Sequence, residues 1–340
     1  MRYVESLNNA LHKLLKEDKR VFVLGEDILD PYAGAFKVTK GLSSAFADRV
    51  ITTPISEAGI TGIAIGMAMR GLRPILEIMF GDFITLCTDQ IVNSASKFSW
   101  MYNGQVNVPL IIRTPMGGRR GYGPTHSQTL ETLFLNVPGL TIIAPSHFHD
   151  PGEALYKAVL YENNPVLFIE NKLLYPQKLI QPDTEGRYGI FFVSTILNCN
   201  KNYPTVSLIP VRNEKPQVTL VAYGGMALLT AEAAVNVFMR DEIISEVIIP
   251  SIIKPLPLQD ILPSIRESKK LIIAEEAVCT SGWGAELASQ VYENTFKLLL
   301  KPIQRIGAQE SPIPSSKFLE EKVLPQASDI EAAIYKQIED

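Results

Sequence analysis

The chain has 340 residues, 46% of them hydrophobic and 20% charged, with a formal net charge of −4. That length exceeds one ordinary core, so two domains are expected. The mildly acidic balance leaves no basic stripe for nucleic acid, and no run of about 18 apolar residues is present to span a membrane. Three cysteines, Cys87, Cys199 and Cys279, lie far apart with no CxxC, which suits a reducing compartment better than a disulfide framework; the cytoplasm is expected, or an organelle interior if a targeting segment has been removed.

The N-terminal stretch MRYVESLNNALHKLLKED (1–18) sets Val4, Leu7, Leu11 and Leu14 on one face, the pattern of an amphipathic helix rather than a leader. VFVLGED (21–27) reads as a buried strand, and GEDILDPYAGAF (25–36) as an ordinary strand-exit loop. A strand-like ITTPIS then delivers one carboxylate, Glu57, to the mouth of a helix over 55–70. Nothing from Ala58 to Met69 is charged. Gly59, Gly62, Ala64, Gly66 and Ala68 keep that helix thin enough for close approach by another helix or chain. Phe80 and Phe83 follow in a turn that could stack a flat ring. A further helix is expected over 83–102.

Strands are expected at VPLIIRTP (108–115), LTIIAPS (140–146) and NPVLFIEN (164–171). Asp150 as N-cap, Pro151 and Glu153 start a helix over 150–162. Strands alternating with helices predict an α/β fold, a parallel sheet covered on both faces. The alternation stops over 180–216, which reads as a linker with an irregular or hairpin excursion. It resumes with VTLVAYGG (218–225), EVIIPSII (246–253), KLIIAEEA (270–277) and PIQRIGA (302–308), separated by helices near 227–240, 257–267 and 284–299. The whole is two parallel-sheet α/β domains, the second smaller.

Glutamate at a helix start is more often a dipole partner than a catalyst. Glu57, however, follows a strand at the sheet edge where open α/β folds bind ligands. His126 lies in a loop, GGRRGYGPTHSQTLE (117–131), at the same kind of edge, and imidazole suits proton transfer near neutrality. This loop offers few anchoring side chains and is expected to be mobile. His147 and His149 are two apart with no third ligand near, so a solvent-exposed approach to a helix is expected rather than a metal pair. SGWGAE (281–286) opens a helix and reads as structural. No GxSxG or HExxH occurs.

GED (25–27), FKVTKGL (36–42), TPISEAGI (53–60), GLRPI (71–75), DQIVN (89–93), RTPMGG (113–118), HSQTLE (126–131), PGL (138–140) and ENNPV (162–166) occur in order. With these motifs the chain resembles the β subunit of thiamine-diphosphate-dependent 2-oxo acid dehydrogenases, the pyruvate, branched-chain and acetoin enzymes. Agreement is looser beyond residue 175, through VAYGG, AEEA, GAE and SPIP. The resemblance implies a transketolase-like pyrimidine-binding domain over 1–180, the irregular linker over 181–216, and a transketolase C-terminal-like domain over 217–340.

It also implies chemistry. Glu57 would bond the aminopyrimidine ring of thiamine diphosphate and drive it to its imino tautomer. Phe83 and Phe80 would pack on that ring, and His126 would stand near the substrate and an arriving lipoyl arm. The reaction implied is decarboxylation of a 2-oxo acid, pyruvate foremost, with reductive acyl transfer to lipoamide. A potassium ion is implied at Leu110, Val159, Leu160, Glu162 and Asn164, although Glu162 stands where the family commonly has Asp. The GDG-to-Asn module that holds magnesium and diphosphate is missing; GDF at 81–83 is out of context. An α subunit would therefore supply magnesium and the diphosphate site. The implied assembly is an α2β2 heterotetramer that works with a lipoyl acyltransferase, and the isolated β chain would pair with itself. Two alternatives stand beside it: a two-chain transketolase-like acyl or ketol transferase with a non-lipoyl acceptor, and a silent docking subunit. A longer linker with NCNKNYP (198–204) and IPSIIKPL (249–256) in place of a DLRTI-type segment depart from the family and point to a specialised paralogue.

Overall fold

The computed structural model describes residues 1–180, 193–197, 200–211 and 214–339. They gather into two compact units. One comprises Met1–Gly117, Gln128–Ile143 and Asp150–Leu179; the other comprises Gly118–Ser127, Ala144–His149 and Ile180–Asp340.

The first unit opens with α1 (Tyr3–Glu17), whose Leu7, Leu11, Leu14 and Leu15 are buried on one stripe. Each buried leucine contributes roughly 1.5–3 kcal/mol, enough to fix a helix whose other face is polar. There follow β1 (Val21–Gly25), α2 (Leu42–Ala45), β2 (Val50–Thr52), α3 (Glu57–Met69), β3 (Arg73–Glu77), α4 (Phe98–Met101), β4 (Ile111–Met116), β5 (Thr141–Ile143), α5 (Pro151–Tyr161) and β6 (Val166–Asn171). The strands pair in the order β5-β6-β4-β3-β1-β2, all parallel. β4 and β6 are buried at every position, as a sheet covered on both faces requires.

Patterning does not mark β3, because Pro74 reads as a strand breaker. The strand is nevertheless central, between β1 and β4. Its Ile75 and Leu76 are wholly buried, and that burial outweighs one missing ladder donor. The single helix expected over 83–102 is instead a 3-10 segment Gly81–Cys87, a π-helical turn Gln90–Ala95 and the short α4. Thr85, Thr88 and Ser96 turn their hydroxyls back onto the carbonyls of Asp82, Ile84 and Val92. Such back-bonding bends helices.

The second unit adds β7 (Val193–Leu197), β8 (Thr205–Ile209), β9 (Val218–Ala222), α6 (Met226–Asp241), β10 (Ser245–Pro250), β11 (Ile252–Lys254), α7 (Leu258–Ser268), β12 (Leu271–Val278), α8 (Trp283–Thr295), β13 (Gln304–Ala308), α9 (Lys317–Val323) and α10 (Ala327–Ile338). Its six-stranded sheet runs β13-β12-β9-β10-β8-β7. It is mixed rather than wholly parallel, since β8 is antiparallel to both β7 and β10. β7 and β8 form the hairpin allowed for in the linker; residues 181–192, 198–199 and 212–213 of that linker lie outside the described residues. Alanines of α6 and Ile330 and Ile334 of α10 pack with Val218 and Leu220 of β9 in one core. No described helix is long and apolar enough to cross a membrane.

The expected cap at Asp150 is present: its side chain accepts the Glu153 N–H at 3.1 Å. Ser6 of α1 donates to Asp150 and accepts the Gly152 N–H at 2.9 Å, tying α1 to the start of α5. A Cβ on Gly152 would lie 2.3 Å from the Ser6 carbonyl oxygen. Helix propensity favours Ala over Gly by roughly 1 kcal/mol, whereas overpacking costs about 1–3 kcal/mol. Gly152→Ala should therefore lower Tm in thermal unfolding. An unchanged or raised Tm would mean that α1 and α5 are less tightly coupled than their geometry indicates.

Candidate functional site

Because the strands of the first unit are parallel, the segments after β1, β2 and β3 leave from one edge of the sheet. Glu26 follows β1, Glu57 follows β2, and Phe80 and Phe83 follow β3. Glu57 opens α3 and is only 7% exposed. The partial positive charge of the helix N-terminus favours an anion there. Thr61, one turn on, donates to the Glu57 carbonyl at 2.6 Å. Cys87 lies nearby: burial pushes its thiol up to about 11, against a bond from Thr61 and with the charge of Glu57 adding to the rise.

Glu26 is a second buried carboxylate in this place. Burial raises its pKa, and the charges of Glu57 and Asp27 raise it further. Its Oε1 has no hydrogen-bond partner among the described residues. Sequence reasoning passed over Glu26 as part of an ordinary loop. The available signal was the one that marked Glu57, an acid directly after a strand of a parallel sheet.

An aromatic wall stands at the same edge. Phe80 and Phe83 meet edge to face at 5.8 Å, Phe36 meets Phe80 at 5.7 Å, and Phe36 stacks on Tyr175 at 4.9 Å. Tyr175 donates its hydroxyl to Glu170 at 2.8 Å. Arg113 grips Glu170 with two bonds, 2.7 and 2.9 Å, and reaches Glu77 at 2.8 Å. Burial opposes the charge on Arg113, but the carboxylates of Glu170 and Glu77 hold its pKa above the ordinary arginine value. Asp82, between the two phenylalanines, accepts from Gln128 Nε2 at 2.8 Å.

The structure brings Glu57, Phe80 and Phe83 into the first unit and groups His126 with the second. His126 Nδ1 lies 2.9 Å from the Thr125 hydroxyl, and its N–H donates to the Gly123 carbonyl at 3.3 Å. Its loop is not the poorly anchored segment expected: Arg119 alone bonds Gln326 at 3.3 Å and the Pro325 carbonyl through its guanidinium.

The positions expected to hold potassium lie in the first unit. There the Arg73 guanidinium donates to the carbonyls of Val159 at 2.5 Å and Glu162 at 3.0 Å. The Leu110 carbonyl accepts the Val166 N–H at 2.9 Å. An arginine thus already supplies positive charge to two of these carbonyls. Among the described residues no group of three or more His, Cys, Asp or Glu side chains is placed to hold a metal ion. His147 and His149 are buried, not solvent-exposed as expected. Burial pushes His147 down to about 3 and His149 to about 4. His149 Nδ1 accepts the Ser146 N–H at 3.0 Å and Nε2 faces the Ile249 carbonyl at 3.2 Å, a packing role. In SGWGAE, the Gly284 N–H donates to Glu275 of the same chain at 3.2 Å, so an internal carboxylate serves that helix start.

Residues 1–178 match the pyrimidine-binding domain of transketolase and residues 208–330 its C-terminal domain. The mitochondrial pyruvate dehydrogenase E1 component subunit beta-1 of Oryza sativa subsp. japonica is 36% identical over 328 residues, covering 96% of this chain and 83% of that one. This chain belongs to the β-subunit family of 2-oxo acid dehydrogenase decarboxylase components. The pyruvate dehydrogenase E1 component subunit beta of Rickettsia felis is 35% identical over 98% of the chain and 96% of its own length. The acetoin:2,6-dichlorophenolindophenol oxidoreductase subunit beta of Bacillus subtilis is 34% identical over 96% and 94%. A split-gene transketolase, solved as an inactive beta4 tetramer, shares the fold with a TM-score of 0.70 at 21% identity, over 99% of this chain and 98% of that one. The family and the pair of transketolase-type α/β domains expected from the motifs are borne out. Dependence on thiamine diphosphate is implied by the family.

The raised pKa of Glu26 has a stability consequence. Its folded pKa lies above the unfolded value, so its contribution is fully present below the ordinary carboxylate pKa and is lost as pH rises through the folded one. Glu26→Gln should therefore raise Tm at pH 7, and the gain should fade as the pH falls through the raised folded pKa and be gone below about 4.5. A gain that is equal at both pH values would show that ionisation of Glu26 is not its source.

Proposed function

We propose that Glu57 and the Phe80–Phe83 wall of this β subunit receive the pyrimidine half of thiamine diphosphate, while an α subunit supplies the magnesium and the diphosphate site. The observation that carries the reading is Glu57 itself. It is a buried carboxylate at a helix start, beside a second carboxylate and Cys87 and on the sheet edge that also carries half-buried aromatics. Those donors fit an aminopyrimidine, which needs a carboxylate and flat apolar walls. They do not fit a diphosphate, whose charge needs metal and many oxygen ligands.

When bound, thiamine diphosphate supplies the electron sink for loss of carbon dioxide from a 2-oxo acid. Glu57 would hold and return a proton at a carboxyl oxygen when the pyrimidine is bound. His126 would protonate the second sulfur as the lipoyl S–S bond opens, the electron pair coming from the fragment left by decarboxylation, which is thereby oxidised to the acyl group on the first sulfur. Pyruvate is the proposed substrate, from the names of the relatives, with a lipoyl acyltransferase as acceptor and an α2β2 assembly. Positions for a Cβ on Gly62 and Gly66 have no atom within 4 Å, and Ile63 beside them is 60% exposed, which supports cover by another chain and pairing of β chains. No step is routed through potassium; Arg73 engages two of its five expected ligands, the carbonyls of Val159 and Glu162. A cytoplasmic setting completes the proposal and rests on cysteine usage alone.

With the α subunit present, Glu57→Gln should cut turnover of pyruvate roughly a hundredfold or more, the scale of a proton-transfer group. Near-normal turnover would refute the assignment. His126→Ala should slow transfer to lipoamide while leaving cofactor affinity intact. A collapse of affinity with normal transfer would show its role to be misassigned.

A further inference from the structure

The loop that carries His126 is held by buried carboxylates. Gly118 donates its N–H to Glu276 Oε1 at 2.6 Å. Arg119 and Gly121 donate theirs to the two oxygens of Glu320, at 2.7 and 3.2 Å. Glu276 comes from β12 and Glu320 from α9, and they are 4% and 2% exposed. Carboxylates are seldom sealed from water without partners, and amides are strong partners for an anion.

The fit of the loop to this clamp is close. A Cβ on Gly118 would come within 2.6 Å of Leu324 and 3.1 Å of Glu320, and one on Gly121 within 3.1 Å of the Ser315 carbonyl. Arg119 has φ +67°, a left-handed conformation that a non-glycine residue keeps only where its surroundings over-determine it. Its amide bond to Glu320 and the guanidinium contacts to Pro325 and Gln326 do so. A loop ordered in this way spends no further conformational entropy when the acceptor arrives.

We propose that Glu320, with Glu276 as a second anchor, is a positioning residue that fixes the Gly118–Gly121 limb and thereby sets where His126 stands for acyl transfer. The proposal rests on the reading of His126 given above. Glu320 acts through the loop and through no reacting atom. A carboxylate suits the task because it offers two acceptors and no donor to two converging N–H groups.

The test uses the α/β enzyme with thiamine diphosphate and magnesium. Amide exchange is followed in 118–123, together with 2-oxo acid oxidation by an artificial electron acceptor and acyl transfer to a lipoyl domain. Glu320→Leu removes both acceptors at similar volume. Exchange across 118–123 should quicken roughly tenfold while β9 stays protected. The kcat for lipoyl transfer should fall about tenfold to a hundredfold, with cofactor affinity and the artificial-acceptor rate little changed. Glu320→Gln keeps one acceptor and should fall between, and it carries the test if the leucine variant fails to assemble. Unchanged exchange in a folded variant overturns the clamp. Quickened exchange with normal transfer overturns the positioning role. A normal transfer rate in His126→Ala overturns the reading of His126 itself, whatever the exchange data show.

Discussion

Two carboxylates held close together with little water around them are the constraint on which the first unit is built. Glu26 and Glu57 can share one place only because β1 and β2 are adjacent and parallel, so that both strand ends open on the same edge. Each carboxylate would keep its distance in an open loop. The sheet forbids that, and the cost appears as the raised pKa of Glu26. The N-terminus of α3 offsets part of the cost for Glu57. Under the aromatic wall the Arg113–Glu170–Glu77 cluster follows the opposite rule: charges of both signs are paired with full hydrogen bonding, and a buried network of that kind rigidifies what rests on it. Tyr175 joins the two, bonding Glu170 at one end and stacking on Phe36 at the other.

The parts of the fold that depend on local rules were legible in the sequence. Asp150 and Pro151 mark the start of α5 because a cap acts within one turn. Apolar runs mark β1, β4 and β6 because strands covered on both faces need them. Glu57 could be singled out because its strand-to-helix position is a local property. Features set by distant neighbours were not legible. Pro74 hid β3, since the pull of a central position on Ile75 and Leu76 is tertiary. The broken helix over 81–101 depends on which hydroxyls fold back onto which carbonyls. Burial of His147 and His149 depends on elements about a hundred residues away, as the bond to Ile249 shows. The loop around His126 looked unanchored because its anchors are backbone amides, whose partner Glu320 lies about two hundred residues on. The Arg73 contacts to Val159 and Glu162 likewise join segments that no spacing rule connects. Family membership came from ordered motifs, and periodicity alone would have stopped at two α/β domains.

The two units differ in physical type, and the proposed division of work follows that difference. The first holds a sheltered carboxylate pair and a flat wall, suited to a neutral heteroaromatic ring. The second holds a strained, glycine-rich loop in place with carboxylates that face inward. Neither arrangement suits a highly charged diphosphate, in keeping with the proposal that another chain supplies the remaining half of the cofactor site.

Calorimetric titration of thiamine diphosphate with magnesium into the isolated chain, and then into the chain combined with its α subunit, tests that division most directly. The account predicts no micromolar binding to the chain alone and micromolar binding once the α subunit is present. Micromolar binding to the isolated chain would contradict it.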